Sequence, residues 1–183
     1  MNLRLANPRD EFEVIERYIL LLLGVTDRPI PSLLHLEKEL FILSNFNPKL
    51  KRFLNFFKHY YGPYSDDVRD LIKDPMYLKN AWVVGEKIKI TQKGKKLFNE
   101  IVNSFKSDIN FRKLLAAMKL VREMYDKLSR DELLFLIYIT YPEFREKSKV
   151  SEKLLAPREK KRLASALLKK GIITKKRYEE IVG

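Results

Sequence analysis

Apolar positions recur at helical spacing through most of the chain and alternate in only one short stretch. Phe12, Ile15, Tyr18, Ile19 and Leu22 share one helical face. Asn7-Pro8 reads as its cap followed by proline at the first helical position, and Gly24 as its stop. Past the breaks at Pro29 and Pro31, Leu33, Leu36, Leu40 and Leu43 predict a second helix over residues 32–43. Asn47-Pro48 repeats the cap signal and opens a third, over 49–58, carrying Leu50, Phe53, Leu54 and Phe57.

An aromatic turn follows, His59-Tyr60-Tyr61-Gly62-Pro63-Tyr64-Ser65. Ser65 is placed to cap a short helix to Lys73, whose first turn holds Asp66 and Asp67, suited to the helix dipole. Trp82-Val83-Val84, Gly85-Glu86 and Lys87-Ile88-Lys89-Ile90 predict a β-hairpin with a two-residue turn, its second strand half-buried by alternation. Thr91 then caps a helix bearing Leu97, Phe98, Ile101, Val102 and Phe105. Helix, helix, short helix, hairpin, helix is the order of a winged-helix module, with Ile88–Gly94 as the wing's second strand entering the closing helix.

Helical spacing continues over 108–127, with Phe111, Leu114, Leu115, Met118 and Val121. Ser129-Arg130-Asp131-Glu132 is a capping box for a helix over 133–140 that is apolar nearly all round, hence buried, and that Tyr141-Pro142 stops. Pro157 starts a basic helix to Lys170, Gly171 ends it, and Thr174 caps a last helix to Val182. The expected fold is mainly α: a winged-helix-like domain with one small β-hairpin over 1–106, a helical pair packed on it over 107–148, and a basic helical hairpin over 149–183. No internal repeat or low-complexity linker interrupts it.

Charge changes the picture. The 183 residues carry 37 Lys+Arg against 24 Asp+Glu, a net +13, and residues 145–183 hold 13 basic and 5 acidic side chains. A basic end attracts nucleic acid, an acidic partner or an anionic surface. A thermophile's charged surface is the other reading; a single Gln and no Cys suit it, while nine Asn do not. The absence of Cys excludes disulfides, thiolate nucleophiles, iron–sulfur clusters and Cys-type zinc sites. Two His leave little room for a His-rich metal centre, and neither GxGxxG nor a phosphate-loop motif occurs. The longest apolar run, Tyr18–Val25, is too short to span a bilayer, and Glu11, Glu13 and Glu16 precede it where a signal peptide would be positive. The expected compartment is the cytoplasm.

Two stretches resemble known families. Leu36-Glu37-Lys38-Glu39-Leu40-Phe41 followed by Tyr61-Gly62-Pro63-Tyr64-Ser65 resembles the Panacea (SocA-like) antitoxin domain and the related YwgA-type prokaryotic proteins, with Glu37 where Panacea domains usually have Gln. Leu133–Tyr138 through Tyr141-Pro142-Glu143-Phe144 looks closer to the YwgA type. Together they span residues 10–148, and the resemblance implies a non-enzymatic, winged-helix-like interaction domain in a prokaryotic protein. The tail 163–182 resembles the SHOCT-type helical hairpin, which implies oligomerisation or tethering; a homodimer fits.

Several constellations invite a chemical reading. Asp66-Asp67-Val68-Arg69-Asp70 matches a DDxxD string that could hold Mg²⁺, but such sites need a large apolar cavity and a second acidic cluster, and acidic residues in a first helical turn are ordinary. His35 and Glu39 lie four apart without the second His of a zinc motif, so a hydrogen-bonded His is expected. Ser44 and Ser65 lack a nucleophile elbow. Tyr60, Tyr61 and Tyr64 could stack on bases beside Lys58 and Arg69; packing around the turn that Gly62-Pro63 shapes is the reading taken.

No enzyme, metal or cofactor is therefore expected. Binding is, of nucleic acid through backbone charge in a regulatory role, or else of a protein partner. The helix before the wing, with Asp66, Asp67 and Asp70, would repel phosphates. The candidate contacts are Arg158, Arg162 and Lys169, one stripe of the 157–170 helix opposite Leu163, Ala164 and Leu167, and the wing lysines Lys87, Lys89 and Lys93, near Lys95 and Lys96. A plain solvated charged face is the other reading of that stripe. Tyr61, Gly62, Pro63 and Tyr64 are assigned to the turn.

Overall fold

A computed structural model describes residues 10–183; the expected Asn7-Pro8 cap lies outside them. The described helix α1 (Glu11–Gly24) is capped by Asp10, whose carboxylate accepts the Glu13 N–H at 3.1 Å. The fold is mainly helical, as expected, with two small antiparallel hairpins where one was expected. Its described residues form two compact units: 10–55 with 65–126, and 56–64 with 127–183.

In the first unit α1 buries Val14, Ile15 and an unbroken run from Tyr18 to Leu23 against α4 (Asp66–Lys73), α5 (Gln92–Phe105) and α6 (Ile109–Tyr125). Helix α2 (Leu33–Phe46) sets Leu36, Leu40 and Leu43 into the same core. Charged groups occupy core positions too. Glu16 accepts the backbone N–H groups of Tyr77 and Leu78 at 3.0 and 2.6 Å, and that of Met76, so it organises the turn after α4. Arg122 on α6 is fully buried: it donates to the carbonyls of Leu22 and Arg28 at 2.8 and 2.6 Å, pairs with Asp126 at 3.0 Å, and lies 3.7 Å from Glu39. A buried cation with its donors engaged avoids the cost of an unpaired charge.

The hairpin of β3 (Trp82–Val84) and β4 (Ile88–Ile90) forms where alternation predicts it. Its register pairs Val84 with Ile88, so the turn is three residues, Gly85-Glu86-Lys87, and not two. Ile88 is buried and Lys89 exposed. On the other edge of β4, Ile88 exchanges two 2.9 Å backbone hydrogen bonds with Ile30, from the loop between α1 and α2. Gly94, in the first turn of α5, lies so close to the hairpin that a Cβ there would sit 2.0 Å from the Ala81 carbonyl oxygen.

The third helix is shorter than its periodicity predicts. Helix α3 runs Pro48–Phe53, capped by Asn47, and Leu54 is already extended. Phe57–His59 is instead strand β1, paired with β2 (Gly62–Tyr64) around a Tyr60-Tyr61 turn. Gly62 has φ 81°, which a residue with a Cβ adopts at a cost, and aromatic residues suit a strand as well as a helix. Pairing across that turn wins over continuing the helix.

The second unit holds this hairpin, α7 (Arg130–Thr140), a 3₁₀ turn (Pro142–Arg145), α8 (Ser151–Leu155), α9 (Pro157–Lys169) and α10 (Lys175–Val182). The capping box is present: Ser129 Oγ accepts the Glu132 N–H, and Glu132 Oε2 accepts the Ser129 N–H at 2.6 Å. Leu133–Tyr138 is buried on every side. Helix α8 is too short to show a period, and the sequence does not announce it.

Candidate nucleic-acid interface

Helix α9 begins at Pro157, whose missing N–H costs nothing in a first turn. Leu163, Ala164 and Leu167 are buried against α7, α8 and α10, which turns the opposite side outward. Arg158, Arg162 and Lys169 are all exposed there, as the spacing predicts, and Lys161 joins them. The three are not equivalent. Arg162 donates from Nε and Nη2 to Glu159 Oε2 at 3.0 and 2.8 Å. That contact holds the Glu159 carboxyl below the usual carboxylate range and raises the guanidinium further.

The end of α9 is fixed to the start of α7. Lys170 Nζ donates to Glu132 Oε2 at 2.6 Å and to the Lys127 carbonyl at 2.9 Å; Lys127 Nζ returns a bond to the Lys170 carbonyl. The Glu132 carboxyl is buried, yet its bonds from Lys170 and Ser129 hold it below the usual range.

The aromatic turn is more open than the packing reading supposed. Gly62 and Pro63 are buried, but Tyr60 and Tyr61 are exposed. Their rings meet cations: Lys149 Nζ lies 3.8 Å from the Tyr60 ring centre, and the Arg130 guanidinium 4.6 Å from that of Tyr61. Tyr64 stacks on His59 at 4.5 Å and meets Phe57 edge-on at 5.3 Å. Lys58 pairs with Glu146. Sequence reasoning missed Arg130 and Lys149, which lie about 70 and 90 residues from the turn and carry no local signal.

In the first unit Lys87 sits in the β3–β4 turn, Lys89 on the outer face of β4, and Lys93 in the first turn of α5; all are exposed. Lys93 Nζ donates to the Lys79 carbonyl at 2.8 Å. Helix α4 buries Val68, Leu71 and Ile72 and leaves Asp66 and Asp70 exposed. Its one Arg, Arg69, turns toward Glu37 at 3.8 Å. Ser65 occupies the cap position without making the cap bond, and its hydroxyl is buried.

The residues of the other constellations make local contacts. His35 Nδ1 meets Ser32 Oγ at 2.8 Å at the start of α2. Glu39 faces Arg122, and burial beside Asp126 pushes its carboxyl well up. Ser44 Oγ donates to the Phe41 carbonyl at 2.7 Å. Among the described residues no three His, Asp or Glu side chains converge as a metal site, and no helix is long and apolar enough to cross a membrane. Neither the family models nor the curated proteins offer a match to this chain.

Proposed function

We propose that this is a non-enzymatic, winged-helix-like protein that binds nucleic acid through backbone charge, chiefly with its second unit. The observation that carries the reading is the charge of residues 56–64 and 127–183, which hold 16 basic against 8 acidic side chains. Arg158 and Lys169 project from the face of α9 that packing leaves open. A flat cationic helix face of this kind suits phosphates and carries no base-reading geometry. The winged-helix reading of the first unit draws support from the Ile30–Ile88 bridge, which gives the β3–β4 hairpin a third partner between the first two helices. The acidic surface of α4 sets the major-groove mode aside, and the exposed lysines of β4 and α5 supply a secondary contact.

A protein-binding adaptor is the second reading. It is favoured by Val83 and Val84, exposed on the open edge of the β3–β4 hairpin. Fluorescence anisotropy with a labelled duplex and a labelled single strand over a salt series separates the two. Affinity that falls steeply with ionic strength for unrelated sequences supports the nucleic-acid reading. No binding to either probe at low salt removes it and leaves the adaptor.

A further inference from the structure

Binding by backbone charge leaves the rings of the β1–β2 hairpin unused. They form a continuous row. Phe57 meets Tyr64 at 5.3 Å, Tyr64 stacks on His59 at 4.5 Å, and His59 lies 4.7 Å from Tyr60. Both ends of the row are open: Phe57 is 44% exposed and Tyr60 47%. Tyr61, next in the turn, is 38% exposed. Exposed rings gathered in one patch mark an interaction surface, whereas single ones do not.

The cations beside the turn are the second, independent observation. Arg130 and Lys149 are both exposed, and each lies against one ring, yet Tyr60 and Tyr61 keep their open surface with these cations in place. Among the described residues neither cation forms an ion pair. The carboxylates of this unit that come near are engaged elsewhere: Glu146 by Lys58 of β1, and Glu132 by Lys170. Asp131 and Glu132, which follow Arg130 in the first turn of α7, also raise the Arg162 guanidinium. The cationic stripe of α9 is thus within electrostatic reach of the α7 terminus that holds Arg130.

We propose that the Tyr60-Tyr61 turn binds single-stranded nucleic acid, bases stacking on the two exposed rings and phosphates meeting Arg130 and Lys149. Exposed rings interleaved with cations are what an unpaired strand requires, and every base has a face to stack, so the platform is indifferent to sequence. A duplex cannot use it, because its bases are held inside the stack. Charge alone favours the duplex, whose phosphates are denser. The inference rests on the nucleic-acid reading above and adds a strand preference that charge does not supply.

The test compares two labelled strands by fluorescence anisotropy with the full chain. One is a mixed-sequence DNA strand of about twelve nucleotides, within the usual site size. The other is an abasic strand with the same number of phosphates and no bases. The native protein is expected to bind the first more tightly by about fivefold or more at equal salt. Tyr60→Leu with Tyr61→Leu brings the DNA strand down to the abasic one and leaves the abasic affinity no weaker. Tyr60→Phe with Tyr61→Phe keeps the preference, since the rings remain. Equal affinity of the native protein for the two strands overturns stacking and leaves binding by charge standing. No binding to either strand or to a duplex at low salt overturns both. A preference undiminished in the folded double leucine variant also overturns the platform. If that variant does not fold, Tyr60→Leu and Tyr61→Leu singly decide in its place: a preference undiminished in both has the same meaning.

Discussion

Lys149 holds Tyr60 twice. Its ammonium lies 3.8 Å from the ring centre, and its backbone N–H donates to the Tyr60 carbonyl at 3.1 Å. One residue thus fixes both the strand turn and the ring above it. The side-chain part is a partly exposed cation–π contact, worth about 0.5–1 kcal/mol. Lys149→Gln is expected to lower urea-measured stability by that amount, since the backbone bond survives. Tyr60→Phe should cost little, because it keeps the ring, while Tyr60→Leu should cost as much as Lys149→Gln.

Gly62→Val is expected to destabilise the protein by about 1–3 kcal/mol. Gly62 is buried with φ 81°, where a β-branched residue is strained. Thermal melting reads the loss. An unchanged melting temperature would mean that the hairpin does not contribute to the cooperative fold.

The stripe on α9 should divide unequally. Each phosphate contact adds roughly 0.9 to the slope of log affinity against log salt on duplex DNA. Arg158→Gln with Lys169→Gln should flatten that slope. Arg162→Gln should flatten it less, because Glu159 already holds the guanidinium at 2.8 Å. Asp66→Asn with Asp70→Asn should leave binding unchanged or slightly stronger. Anisotropy over a salt series checks all three.

Lys38 predicts a stability that climbs into the alkaline range. It is almost wholly buried, 3.5 Å from Glu37 and with Arg69 beyond, and desolvation lowers its pKa from 10.5 to about 8. The folded value lies below the unfolded one, so folding penalises the charged form. That cost is full below about pH 8 and is relieved as pH rises toward the unfolded value. Its size is of order 3 kcal/mol, at about 1.4 kcal/mol per tenfold change in proton affinity. Denaturation midpoints measured from about pH 7 to 9.5, below the range in which unfolded tyrosines ionise, should rise in the native protein and stay flat in Lys38→Met.

Arg122→Met should be the most damaging of these changes. It leaves the Leu22 and Arg28 carbonyls without their donors and Asp126 beside a buried Glu39 with no cation between them. Breaking a buried pair from one side costs about 3–5 kcal/mol. Adding Glu39→Gln should recover part of the loss in chemical denaturation, since it removes one of the two stranded carboxyls.

Helix positions were legible because period and caps agreed: Thr91, Ser129 and Thr174 each accept the expected N–H. The hairpin at 57–64 was not, because Phe53, Leu54 and Phe57 continue a helical period that the positive φ of Gly62 overrides from outside it. The buried charges were readable in principle. Arg122 falls four residues after Met118, and Glu16 three before Ile19, both on the apolar stripe. A charge on such a stripe signals a buried partner but does not name it. Likewise, the exposure of α9 followed from its pattern, whereas the Arg162–Glu159 contact needed side-chain geometry.

The second unit is discontinuous in sequence, and that bears on how the chain folds as it is made. The aromatic hairpin is complete once residue 64 is synthesised, but Arg130 and Lys149 come 66 and 85 residues later. Every residue of the first unit precedes them. Domains assemble as units during synthesis, so the first unit can assemble while the hairpin still waits for its partners. Until then Tyr60 and Tyr61 are bare aromatic surface on a nascent chain. The stage most prone to aggregation or chaperone capture therefore lies between the completion of the first unit and the arrival of Lys149.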